Sequence, residues 1–74
     1  MTLRRYAVVI EPTSTGFSAY SPDVPGCAAV GDSLEETRRN FQEALEFHFE
    51  AMRLVGEPIP EPASDVVYVE VPAA

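Results

Sequence analysis

Seventy-four residues, 46% hydrophobic and 23% charged, make one small globular domain over residues 1–74 and exclude a disordered chain. Twelve acidic residues against five arginines, with no lysine, give a net charge of −7, which excludes a phosphate backbone as the natural ligand and suits a basic partner. A single cysteine forms no internal disulfide, the N-terminus lacks a signal peptide, and no stretch approaches the ~20 apolar residues that span a bilayer, so the reading is cytoplasmic, with no membrane.

Residues 4–11, Arg-Arg-Tyr-Ala-Val-Val-Ile-Glu, are rich in strand formers and predict strand one. Tyr6, Val8 and Ile10 fall on one side, Ala7 and Val9 on the other. Both sides are apolar, as in a central strand. Pro12 cannot donate to a ladder and should end the pairing. Thr13–Gly16 supplies a turn, and Phe17–Ser21 alternates as strand two of an antiparallel hairpin. Pro25 and Gly26 suit the centre of a type II turn, because Pro presets its φ and Gly accepts a positive one. Cys27–Val30 then reads as a short buried third strand, broken by Gly31-Asp32.

Ser33-Leu34-Glu35-Glu36 reads as a capping box. The Ser33 hydroxyl accepts from the Glu36 amide, and the Glu36 carboxylate reaches back to the Ser33 amide. A helix over 34–54 follows. Leu34, Phe41, Leu45, His48, Met52 and Val55 form one stripe, flanked by Ala44 and Phe49, that should lie on the sheet. Glu36, Glu43, Glu46 and Glu50 form an acidic solvated face. Glu35 can pair with Arg39, and Gly56, followed by Pro58, reads as the helix stop.

Phe47, Ala51 and Leu54 project from the wrong side of this wheel. They are either a lone exposed aromatic and a fraying end, or a contact face for a second subunit. Pro58, Pro60 and Pro62 predict a stiff extended crossover, after which Asp65–Val71 reads as strand four. The expected fold is α+β, β-β-β-α-β: an antiparallel three-stranded meander plus a fourth strand parallel to strand one, in order 3-2-1-4, with one helix packed on the sheet. A chain this short buries only about 60% of its unfolded surface. One helix covers one sheet face, so another subunit is expected to help cover the other.

The residues point away from catalysis. His48, the only histidine, lies in the helix's apolar stripe and reads as structural. Cys27 reads as a small core residue, Ser33 as a cap, and Gly16, Gly26, Gly31 and Gly56 as separate turn glycines rather than a phosphate-cradling loop. No Cys–His or His–His spacing makes a metal site, and no cofactor is expected. The one enzymatic alternative is a metal-dependent ribonuclease H-like nuclease using Glu11, Glu70 and a helix acid. Its acids would have to converge, and strand one offers none in its interior.

Tyr6-Ala-Val-Val-Ile-Glu11, Gly16-Phe-Ser-Ala-Tyr-Ser-Pro-Asp-Val-Pro-Gly-Cys27, Gly31-Asp-Ser-Leu-Glu-Glu36, Glu43-Ala-Leu-Glu46 and Gly56-Glu-Pro-Ile-Pro-Glu-Pro62, in this order and spacing, resemble the HicB-like antitoxins of bacterial type II toxin–antitoxin systems. The resemblance covers nearly the whole chain. It implies a truncated ribonuclease H-like fold without nuclease activity, and homo-oligomers, dimeric or higher. It also implies a partner: a small basic HicA-like toxin, an mRNA-cleaving ribonuclease that the antitoxin binds and blocks. Many such antitoxins carry a C-terminal DNA-binding domain. This sequence stops three residues after Val71, so the expectation is the short form without it. A stand-alone homo-oligomeric scaffold with no toxin is the alternative function.

Overall fold

Thr13 and Gly16 close the first hairpin, the Thr13 amide donating to the Gly16 carbonyl at 2.8 Å. The computed structural model describes residues 3–73. Its elements are β1 (Val9–Pro12), β2 (Phe17–Ser21), β3 (Val24–Gly31) and α1 (Leu34–Leu54). The strands form one antiparallel meander in the order β1-β2-β3.

Strand alternation separates the two sheet faces. Ile10, Ala19 and Ala29 sit opposite one another on the face that receives α1. Val9, Tyr20 and Ala28 sit opposite one another on the outer face. The buried apolar core is Ala19, Val24, Cys27 and Phe41, with Tyr6, Val8, Ile10, Ala44, Leu45 and Phe49 packed around it. The outer face is open, with Tyr20 and Val30 exposed among the described residues.

Both ends of α1 are tied off locally. The Ser33 hydroxyl accepts from the Glu36 amide at 3.1 Å, and the Thr37 hydroxyl donates to the Ser33 carbonyl at 2.7 Å. The Glu36 carboxylate reaches one residue further back than a capping box requires and accepts from the Asp32 amide at 2.8 Å. At the other end Gly56 has φ of 78°, the Glu57 amide donates to the Met52 carbonyl, and the Gly56 amide donates to the Arg53 carbonyl. These two bonds are the Schellman pattern, which satisfies the last carbonyls of the helix.

The expected architecture needs three corrections. First, β1 begins at Val9 rather than residue 4. Val9 already faces Tyr20, one residue from the end of β2, so the residues before it run past the partner strand. Second, the chain reverses at Pro22-Asp23, not at Pro25-Gly26. Pro25 and Gly26 lie inside β3, where the register slips between Tyr20 and Ser21 and leaves extra residues on the β3 side as a bulge. The positive φ of Gly26, 85°, serves that bulge.

Third, the described residues contain no fourth strand. The fold is β-β-β-α, β1 is an edge strand, and β2 is central. Asp65–Val71 fails to return along β1 because Ala63 and Ser64 are bound to Asp23, at the turn between β2 and β3. The chain is held across the end of the sheet and leaves from there. Its radius of gyration, 14.3 Å, exceeds the roughly 11 Å of a compact domain of this length.

Candidate functional site

Missing a fourth strand leaves α1 off-centre. It lies chiefly over β3, less over β2, and only slightly over β1. Between α1 and the β1 side an open cleft of about 1350 Å³ remains. Its floor is apolar, formed by Tyr6, Val8, Phe41, Leu45 and Phe49. The Tyr6 and Phe49 rings meet there with centroids 5.2 Å apart and planes tilted by 52°, a favourable edge-to-face-like geometry.

The rim of this cleft carries Arg4, Arg5, Arg38 and Arg53, four of the five arginines in a chain of net charge −7. Among the described residues, two acids, Glu46 and Glu61, share the lining with them. Arg38 forks onto Glu35 at 2.7 and 3.2 Å, in place of the expected Glu35–Arg39 pair, and holds the Glu35 carboxyl below its usual range. Arg53 reaches Glu50 at 3.2 Å and Arg4 reaches Glu61 at 3.4 Å. All three pairs are exposed and therefore weak and exchangeable.

Beyond the helix, the proline segment is pinned at two points. The Tyr6 hydroxyl donates to the Pro60 carbonyl at 2.6 Å. The Asp23 carboxylate accepts from the Ala63 amide at 3.0 Å, the Ser64 amide at 2.9 Å and the Ser64 hydroxyl at 2.8 Å. Those donors stabilise the ionised form and hold the Asp23 carboxyl below its usual range, the Ser64 amide contributing most. Past this clasp Val66, Val67, Tyr68, Val69 and Val71 are 53–96% exposed.

The helix face singled out in the sequence is open. Phe47 is 77% and Leu54 79% exposed, with exposed Ala51 between them. His48 is half-buried with its ring 6.3 Å from that of Phe49. Cys27 is buried, and burial pushes its thiol up, away from the reactive thiolate. Gly31 sits where an added Cβ would lie 2.5 Å from the Thr37 hydroxyl and 2.9 Å from its amide. Only a glycine lets the start of α1 approach β3 this closely.

Among the described residues, no group of three or more His, Cys, Asp or Glu side chains is placed to hold a metal. Glu11 is exposed at the end of β1 and Glu70 is exposed on the segment after the clasp. No described helix is long and apolar enough to cross a membrane. The geometry thus offers surfaces for another chain: a cation-rimmed apolar cleft, an open sheet face and an exposed helix flank.

Known proteins fit that picture. The family described as HicB_like antitoxin of bacterial toxin-antitoxin system matches residues 6–72. The chain belongs to the HicB-like antitoxin family. "Antitoxin HicB 2" of Photorhabdus laumondii is 36% identical over 74 residues, covering 95% of this chain and 51% of that protein. An uncharacterized 14.9 kDa protein from the rep-hol intergenic region of Haemophilus phage HP1 is 37% identical over 67 residues, covering 90% and 50%. This HicB-like chain therefore spans about half the length of these curated relatives. A solved HicA3 and HicB3 toxin-antitoxin complex contains a chain similar to it, with a TM-score of 0.72 and 37% identity, covering 81% of this chain and 70% of that one.

Sequence reasoning missed Asp23, Thr37 and the arginine rim. Asp23 gives no local signal of its role, because its partners lie 40 and 41 positions away. Thr37, fully buried, was hidden because a polar residue beside the apolar stripe gives no sign that its hydroxyl is satisfied by Ser33. Arg4 and Arg5 come from the segment before β1, and Arg38 and Arg53 from α1. Only the packing of α1 against the β1 side unites them.

Proposed function

We propose that this HicB-like chain is a non-catalytic antitoxin that acts in the cytoplasm by binding a small basic HicA-like toxin and covering its RNA-cleaving surface. The observation that carries this reading is the likeness, in both sequence and fold, to a chain of the HicA3–HicB3 complex. Physical chemistry supports it. Twelve acids against five arginines steer a cationic partner toward the chain and repel RNA. Glu43, Glu46 and Glu50 are exposed along one helix.

Phe47, Ala51 and Leu54 belong to the same reading as a contact face for another subunit. Phe47 and Leu54 are seven positions, and so about two turns, apart on α1, and both are open to solvent. Co-expression with a HicA-like toxin from the same organism tests the proposal. Restored growth supports it. Growth arrest that persists unchanged, with both proteins present at comparable levels, overturns it in favour of a stand-alone homo-oligomer.

A further inference from the structure

The segment after the Asp23 clasp has the pattern of a strand and the surroundings of a free peptide. Val67, Val69 and Val71 alternate with Val66, Tyr68 and Glu70, a period that places two apolar rows on opposite sides. Yet Tyr68 is 96% exposed and Val69 79%. An apolar, strand-forming segment in this state is a pairing surface awaiting an edge.

The same fold contains a place of the opposite character. The cleft beside β1 has an apolar floor, a rim bearing four arginines, and an adjacent strand edge that pairs with nothing among the described residues. Residues 65–71 bring five apolar side chains, two carboxylates (Asp65 and Glu70) and no cation. Extended, they span about 23 Å. The arm and the cleft are complementary in polarity and charge. The chain's own arm is turned away from its own cleft, because Asp23 holds Ser64 at the β2–β3 turn and the prolines before it stiffen the approach. A stiff tether that keeps complementary surfaces of one chain apart favours their meeting between chains.

We propose that the arm Asp65–Val71 of one copy inserts into the arginine-rimmed cleft of a second copy, and that the exchange is reciprocal. The occupant is a second copy because this chain itself supplies the acidic, apolar segment that the cleft lacks, and both halves of the contact repeat under two-fold symmetry. Tyr68 and the valines leave water against Tyr6, Leu45 and Phe49. Asp65 and Glu70 meet the rim, where Arg4, Arg38 and Arg53 trade their exposed pairs for ones at the edge of a dry contact. The exchange stands independently of toxin binding.

Isotope-mixed cross-linking tests it. The Val69→Cys variant is labelled with a photoactivatable benzophenone, the buried Cys27 being shielded, and copies with and without 15N are unfolded and refolded together. Cross-links from position 69 to peptides holding Tyr6–Val8 or Leu45–Phe49, joining labelled to unlabelled copies, support the proposal. Cross-links confined to one copy, or directed to the Phe47–Leu54 flank, overturn it. So does a wild-type chain that sediments only as monomer. In parallel, the doubly substituted Val67→Asp, Val69→Asp chain keeps its far-ultraviolet circular dichroism, since both side chains are exposed within one copy, while its dimer weakens at least about tenfold, equivalent to roughly 1.4 kcal/mol. An unchanged dimer in that variant overturns the assignment.

Discussion

Asp23 holds Ser64 by two hydrogen bonds, Oδ2 accepting from the Ser64 amide at 2.9 Å and Oδ1 from its hydroxyl at 2.8 Å. The pair joins the β2–β3 turn to the base of the C-terminal arm. Replacing Asp23 by Ala removes all three acceptor contacts to residues 63 and 64 while leaving the core untouched. The Ala63 and Ser64 amides should then exchange with solvent at free-peptide rates, and α1 amides at their original rates. Hydrogen exchange read residue by residue checks this. Retained protection at Ser64 would contradict it.

The same clasp has a defined pH dependence. The folded Asp23 carboxyl lies below its usual value, chiefly through the Ser64 amide. Its stabilising contribution is therefore fully present above the unfolded value of about 3.9 and is lost as pH falls through the lower folded value. The Ser64 amide resonance should titrate with a midpoint below about 3.9. A midpoint above it would show that the clasp is not formed by the carboxylate.

Gly31 determines how closely the helix approaches the sheet. Gly31→Ala places a methyl group against the Thr37 backbone, which has no rotamer by which to yield. The expected cost is about 1–3 kcal/mol, the range for overpacked sites, read as a lower urea midpoint. Gly26→Ala, with open space around its Cβ but a φ of 85°, costs by backbone strain alone, about 1–2 kcal/mol.

Phe41 is the largest fully buried side chain. Phe41→Ala should cost about 3–5 kcal/mol. Small domains sit near the low end of the roughly 5–15 kcal/mol that folded chains hold, so this variant should be largely unfolded at 37 °C. Ser33→Ala removes one cap bond and should cost only about 1 kcal/mol. Thermal unfolding of the two variants separates the effects.

Local chemistry made α1 legible. Ser33 starts it and Gly56 ends it through the Schellman bonds, while of the expected stripe Phe41 and Leu45, with flanking Phe49, face the core and Leu34 and Val55 at its two ends stay exposed. The β1–β2 hairpin was equally plain from Pro12 and Gly16. Asp65–Val71 was misread for a physical reason. Alternating valines report that a segment suits a strand, but not which edge receives it, and Asp23 diverts the chain before β1 can. Pro25-Gly26 carried a correct signal for a positive φ at Gly26, yet a bulge uses that conformation as readily as a turn. The cleft was invisible because its floor and its rim come from segments up to 58 residues apart, Leu3 to Glu61.

Binding of a purified HicA-like toxin tests the central claim most directly. Titration of toxin with this chain, followed by calorimetry and by cleavage of a labelled RNA, should give a complex of fixed stoichiometry whose formation abolishes cleavage. Its affinity should fall as salt is raised, because the steering charge is screened. Undiminished RNA cleavage in saturating excess of the folded chain, with no heat of binding, would contradict the account.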